Sequence, residues 1–173
     1  MSNTTLAEGG NHLAGKYLTF ALGSEEYGLE ILNVREIVGY QKITKVPKTS
    51  REIKGVISFR GHVIPIVDLR ERFGMEEKAV DDQTCIIVVE HEHDRRITTT
   101  GVIVDQVSEV LDIQIEQIEP PPQFGGAARV DFICGIGKMG GNVKILLDID
   151  NVLSSANTTQ WAEAAEEVVQ ITG

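Results

Sequence analysis

The sequence predicts a mainly β protein in which one small barrel is built twice, with only minor helix. Three observations carry this: apolar runs of strand length separated by Gly, Ser and polar turns, self-similarity at two fixed offsets, and helical spacing confined to short stretches. Many short strands with little helix indicate small barrels rather than a βαβ fold.

In chain order, Tyr17–Leu22 reads as a strand, a Gly23-Ser24 turn follows, and Glu26–Glu30 reads as a second strand. Ile31, Val34 and Val38 fall near helical spacing, which predicts a short helix or helical turn over residues 31–37. A polar connection through Pro47 leads to the clearest hairpin, Gly55–Phe59 with His62–Val67 across Arg60-Gly61, where Gly61 supplies positive φ. Pro65 inside that pattern predicts an edge strand or a bulge. Thr84–Glu90 is a continuous β-branched run suited to a strand buried on both faces. His91–Arg96 reads as its solvated turn, and Ile97–Val104 returns. Pro120-Pro121-Pro122 forces an extended connection, after which Asp131–Cys134 and Val143–Leu147 pair around a Gly-rich turn. Trp161, Ala164, Ala165 and Val168 lie at i, i+3, i+4 and i+7, predicting an amphipathic terminal helix.

The duplication is read from two alignments. Gly28, Val34 and Glu36 match Gly101, Val107 and Glu109 at an offset of 73 residues. Gly55-Val-Ile and Ile66-Val-Asp-Leu69 match Gly135-Ile-Gly and Leu146-Leu-Asp-Ile149 at an offset of 80. Order and offsets favour a repeated unit, whose similar but non-identical ends suit head-to-tail contacts.

A net charge of −10 argues against nucleic acid. The charge is uneven: residues 35–54 hold six basic and two acidic side chains, residues 105–131 one basic and six acidic. Complementary docking surfaces would use this, although two solvated faces would show it equally. No apolar stretch approaches the roughly 18–20 residues of a membrane span, so no direct membrane insertion is expected. The first residues lack the basic and apolar regions of a signal peptide and read as a polar tail. Cys85 and Cys134 sit among apolar neighbours, as reduced core thiols do in the cytoplasm.

Catalytic patterns fail on context. Gly135-Ile-Gly137-Lys-Met-Gly140 has the dinucleotide spacing, but a strand pattern follows where a helix N-terminus is needed. Ser58, His62 and Asp68 lack a nucleophile elbow. His91 and His93 sit beside Arg95 and Arg96, which oppose a bound cation. The expectation is no enzyme, no metal and no cofactor. A small-ligand or oligonucleotide barrel remains a competing class, disfavoured by acidity and by the lack of an aromatic basic groove.

Taken together, Phe20–Ile37, Ile53–Arg70, Gly101–Leu111, the Pro120 run, Gly135 and Leu146–Ile149 resemble the CheW family of chemotaxis coupling proteins, from about Lys16 to Leu153. The resemblance implies two packed five-stranded barrels of SH3/OB-like kind, one over roughly 16–83 and the other over roughly 84–153. It allows terminal strands to be exchanged between them. Residues 1–15 are then a tail and 154–173 a terminal helix. It further implies a cytoplasmic adaptor, monomeric alone and in rings or arrays with its partners. Those partners are the regulatory domain of a CheA-type histidine kinase and the cytoplasmic tip of chemoreceptors. Partner binding is then expected at Arg60, Gly61 and Glu36, with Val34, Lys54 and Gly55 beside them. Val102, Val104 and Val110 would wall an apolar receptor groove, or else fill the core. A CheV-type adaptor with a receiver domain is a related alternative, for which the roughly 20 residues after Leu153 are too few.

Overall fold

A computed structural model describes residues 14–121 and 132–154. The expected tail up to residue 13, the helix around Trp161 and the later part of the Pro-rich connection lie outside them, while Gly15, expected in the tail, begins the first strand. Eleven strands among the described residues form two sheets. They are β1 (Gly15–Leu22), β2 (Glu25–Glu30), β3 (Val34–Gly39), β4 (Ile53–Phe59), β5 (His62–Asp68), β6 (Cys85–His93), β7 (Arg96–Val104), β8 (Gln106–Ile113), β9 (Ile118–Glu119), β10 (Ile133–Met139) and β11 (Asn142–Leu147). Two short helices, α1 (Leu69–Arg72) and α2 (Ile149–Ser154), follow β5 and β11. The first sheet runs β8-β1-β2-β11-β10-β9 and the second β3-β6-β7-β5-β4.

The two orders are one order. Substituting β8 for β3, β10 for β4 and β11 for β5, each sheet is a hairpin flanked on one side by the first of these strands and on the other by the remaining two. In each sheet the hairpin, β1–β2 or β6–β7, comes from the opposite half of the chain to its neighbours. Registers repeat as well: Gly28 pairs with Leu146 and Gly101 with Ile66, both across parallel strands. Both barrels also close at equivalent points, Thr44 bridging Val56 and Glu119 pairing Ile136. The mainly β, two-sheet, duplicated architecture agrees with the fold class read from the sequence and suits SH3-like barrels.

Three apolar clusters explain why so many strands are continuously hydrophobic. Ile57, Ile64, Ile66, Ile86 and Val88 fill the second barrel, and Tyr17, Ile113 and Leu146 pack in the first. The largest cluster draws on both sheets and both helices, including Leu18, Phe20, Leu22, Val67, Leu69, Ile87, Val89, Leu147, Val152 and Leu153. Successive residues of β1 and β6 therefore face two different cores, a burial pattern that removes the usual polar alternation.

Three expectations need correction. Residues 31–37 are not one helix: a 3-10 turn at Ile31–Asn33 gives way to β3. Its alternation places Val34, Glu36 and Val38 inward and Arg35, Ile37 and Gly39 outward, and β-branched side chains suit the pleated backbone. The turn at 91–96 is only Asp94-Arg95, both at positive φ. His91 lies within β6, buried, with Nε2 2.8 Å from Thr100 Oγ1 on β7. β5 is not an edge strand, for β4 and β7 flank it. Pro65 is tolerated because parallel pairing with β7 begins only at Ile66.

Candidate functional site

The β4–β5 hairpin projects the chemistry singled out in the sequence. Its two-residue turn has φ of 50° at Arg60 and 81° at Gly61, the primed geometry whose twist matches the strands. Arg60 Nε donates to Glu36 Oε1 at 3.0 Å, and Nη2 engages the same oxygen. The guanidinium also lies over the Phe59 ring, 5.5 Å from its centroid. The pair thus joins the hairpin tip to β3, at the opposite edge of the same sheet. Arg60 stays 65% exposed, so one side of a fixed cation faces solvent. Arg35, Phe59, Arg60, His62, Ile64 and Thr99 surround a cavity of about 290 Å³ at this end of the barrel.

Gly55 and Lys54 lie towards the other end of β4. Gly55 has φ of 146°, and a Cβ there would fall 2.1 Å from the Thr44 carbonyl oxygen. Its role is to let the closing strand approach. Lys54 is held between Glu71 on α1 and Glu77, the latter at 3.5 Å. Burial pushes its ammonium down, but Glu71, Asp68 and Glu77 outweigh that and leave it above its ordinary range. A second cleft of about 220 Å³ opens here, lined by Tyr40, Lys54, Asp68, Arg70, Val80 and Asp105 among others. Asp68 caps α1 through the Arg70 amide, and Arg70 makes two 2.7 Å bonds to Asp105. These charges answer one another.

The expected groove residues separate. Val102 and Val104 are 0% and 1% exposed within the largest core cluster, the core role left open beside the groove. Val110 is 50% exposed on β8. Val34 is half-buried against the central cluster, with Leu32 beside it 87% exposed. A helix or helical turn over residues 31–37 does not mark Leu32 and Ile37 as exposed. Read with a two-residue period, Ile37 falls on the outward face.

The catalytic patterns stay apart. His62 begins β5 and Asp68 ends it, about 20 Å away at strand rise. Gly135 and Gly137 lie within β10, and Gly140-Gly141 turns into β11, with no helix N-terminus to receive a phosphate. Among the described residues no group of three or more His, Cys, Asp or Glu is placed to hold a metal. No helix among them is long and apolar enough to cross a membrane.

Comparison with known proteins agrees with this architecture. A family model described as the CheW-like domain matches residues 16–157. The chain is 40% identical over 146 residues to chemotaxis protein CheW of Klebsiella aerogenes, spanning 84% of this chain and 86% of that one. It is 30% identical over 148 residues to chemotaxis protein CheW of Treponema pallidum, spanning 84% and 85%. Among solved structures, the scaffolding protein TtCheW from Thermoanaerobacter tengcongensis superposes with a TM-score of 0.72 at 35% identity, covering 82% of this chain and 93% of that one. The chain belongs to the CheW-like domain family.

Proposed function

We propose that this protein is a non-catalytic cytoplasmic adaptor of chemotaxis, coupling the tips of membrane chemoreceptors to the regulatory domain of a CheA-type histidine kinase. The family membership supports the adaptor class, since relatives carry the names chemotaxis protein and scaffolding protein. The observation that carries the site is the Arg60–Glu36 pair, a braced, outward-facing cation at a hairpin tip. A guanidinium held in place by a partner within its own fold loses less side-chain freedom on docking than a free one. In this reading Gly61 shares the tip and Val34 and Leu32 belong to the segment leading to Glu36, while Lys54 and Gly55 lie at the other end of β4. Val110 offers apolar surface to the receptor.

The test is binding of the intact chain to a receptor cytoplasmic hairpin and to a kinase regulatory domain, measured separately. Arg60→Glu sets two carboxylates against each other at the tip. It is expected to weaken binding at least tenfold to one partner, while circular dichroism and the melting curve stay close to wild type. If the variant binds both partners as tightly as wild type, the hairpin tip is not the docking site.

A further inference from the structure

The duplication leaves one half of a matched ion pair without its mate. β3 and β8 hold equivalent places beside the first strand of a hairpin, and both are irregular at the same point: the register shifts between Val34 and Glu36 in one, and opposite Leu18 and Phe20 in the other. Glu109 is therefore the counterpart of Glu36. The β4–β5 and β10–β11 hairpins turn alike, through φ of 50° and 81° at Arg60 and Gly61, and 55° and 84° at Gly140 and Gly141. The backbone is repeated, but the arginine is not.

What replaces it is open space. A Cβ at Gly140 would meet nothing within 4 Å. Glu109 is exposed, and among the described residues no hydrogen bond or ion pair engages its carboxylate. Its backbone is nonetheless fixed, the amide donating to Thr19 Oγ1 at 3.2 Å and the carbonyl accepting from that hydroxyl at 2.8 Å. The surroundings have also changed. Arg35, Arg60, His62, Ile64 and Thr99 line the end of the second barrel, whereas their counterparts in the first are Ser108, Gly140, Asn142, Lys144 and Glu26. Lys144 and Glu26 pair with each other, so the one lysine there is already engaged and Glu109 keeps no cation of its own among the described residues.

We propose that Glu109, with the space above Gly140-Gly141, is the seat for a cationic side chain supplied by a partner protein. An arginine on a turn or helix end is the group that fits, because an arginine fills the equivalent space in the other half. This rests on the adaptor reading and adds to it a second, acidic docking point at the far barrel. An exposed glutamate on an edge strand also discourages strand pairing, but that role would be indifferent to what occupies position 140.

The experiment compares wild type, Glu109→Gln, Gly140→Arg and Gly140→Ala in binding to the receptor hairpin and the kinase regulatory domain, at low and moderate salt. Glu109→Gln is expected to weaken one of the two by about 3- to 10-fold and to reduce the salt dependence of that complex. Gly140→Arg should weaken the same partner similarly, because an internal guanidinium then holds the carboxylate, while Gly140→Ala should not. Melting curves confirm that all four are folded. If all four bind both partners equally, the seat is unused. If wild type binds neither, the adaptor reading fails and takes this inference with it.

Discussion

Arg70 and Asp105 show how single residues tie the halves together. Their two hydrogen bonds link α1 to the β7–β8 corner, and Asp105 also accepts from the Gly23 amide at 2.8 Å, bringing in the β1–β2 turn. Burial pushes the Asp105 carboxyl up, but Arg70 and the Gly23 amide outweigh it, so its pKa falls below the usual range. A carboxylate depressed in the folded state adds stability above its unfolded pKa and loses it as pH falls through the folded value. Asp68 is opposite in sign. Burial raises its pKa against the lowering effect of the Arg70 amide and Lys54, so ionised Asp68 costs stability near neutrality, and the cost is relieved on acidification. Asp105→Asn should therefore lower the neutral-pH melting temperature and flatten the loss below about pH 4, whereas Asp68→Asn, which can keep the cap, should do neither. Melting curves from pH 3 to 7 check this; parallel curves for the two variants would refute the assignment. Arg70→Ala, which strands Asp105 in a mostly buried site, should cost on the order of 2 kcal/mol, somewhat below a fully buried pair. Glycines at close approaches give a sharper case. A Cβ at Gly101 would lie 2.6 Å from Ile66 Cδ1 and 2.8 Å from Ile86 Cγ2. Gly101→Ala should destabilise by about 1–3 kcal/mol through overpacking, and a denaturation midpoint equal to wild type would show that the strands can part more easily than described.

At the level of elements, what the sequence made legible depended on whether a segment had one dominant environment. The β4–β5 hairpin was readable because a two-residue turn demands positive φ, and a Gly after a strand-length run announces it. The Gly-rich false fingerprint was readable for the same reason, since the strand after it excluded a phosphate-binding helix. β3 was not readable, because Ile31, Val34 and Val38 satisfy both a helical period and a 3-10 turn followed by a strand, and pairing with β6 decides between them. Val102 and Val104 carried two readings, groove wall or core, because apolar character marks burial but not which of several surfaces is buried. Arg60 and Glu36 came from family resemblance, whereas the bond between them depends on barrel closure, which brings opposite sheet edges together. The primed turns yield a further test. Gly61 sits at φ 81°, costly for a β-branched residue. Gly61→Val should destabilise the hairpin by about 1–2 kcal/mol and speed amide exchange in β4 and β5 before the other sheet. Uniform acceleration across both sheets would mean that the hairpin does not open on its own.

For the whole molecule, the exchange of hairpins between halves matters more than the duplication itself. If each half closed its own barrel, the two would be beads joined by a tether, free to shift. Instead β1–β2 completes the sheet containing β8, β10 and β11, and β6–β7 completes the sheet containing β3, β4 and β5. The largest core cluster takes residues from both halves, so neither half can bury its apolar surface alone. That coupling suits an adaptor, whose two ends must hold a fixed relation if one chain is to set the spacing of two partners. It also predicts a particular response to cutting. The exposed segment Glu76–Gln83, between α1 and β6, carries no strand or helix. A protease site placed there and cleaved should leave the fragments associated through gel filtration and unfolding in one cooperative transition. Residues 14–83 produced alone should lack the exchanged-strand contacts and show neither dispersed amide resonances nor a cooperative melt, regaining both when the remaining fragment is added. A folded, stable N-terminal fragment on its own would mean that the hairpin can pair within its own half, and the rigid spacing between the two ends would lose its structural basis.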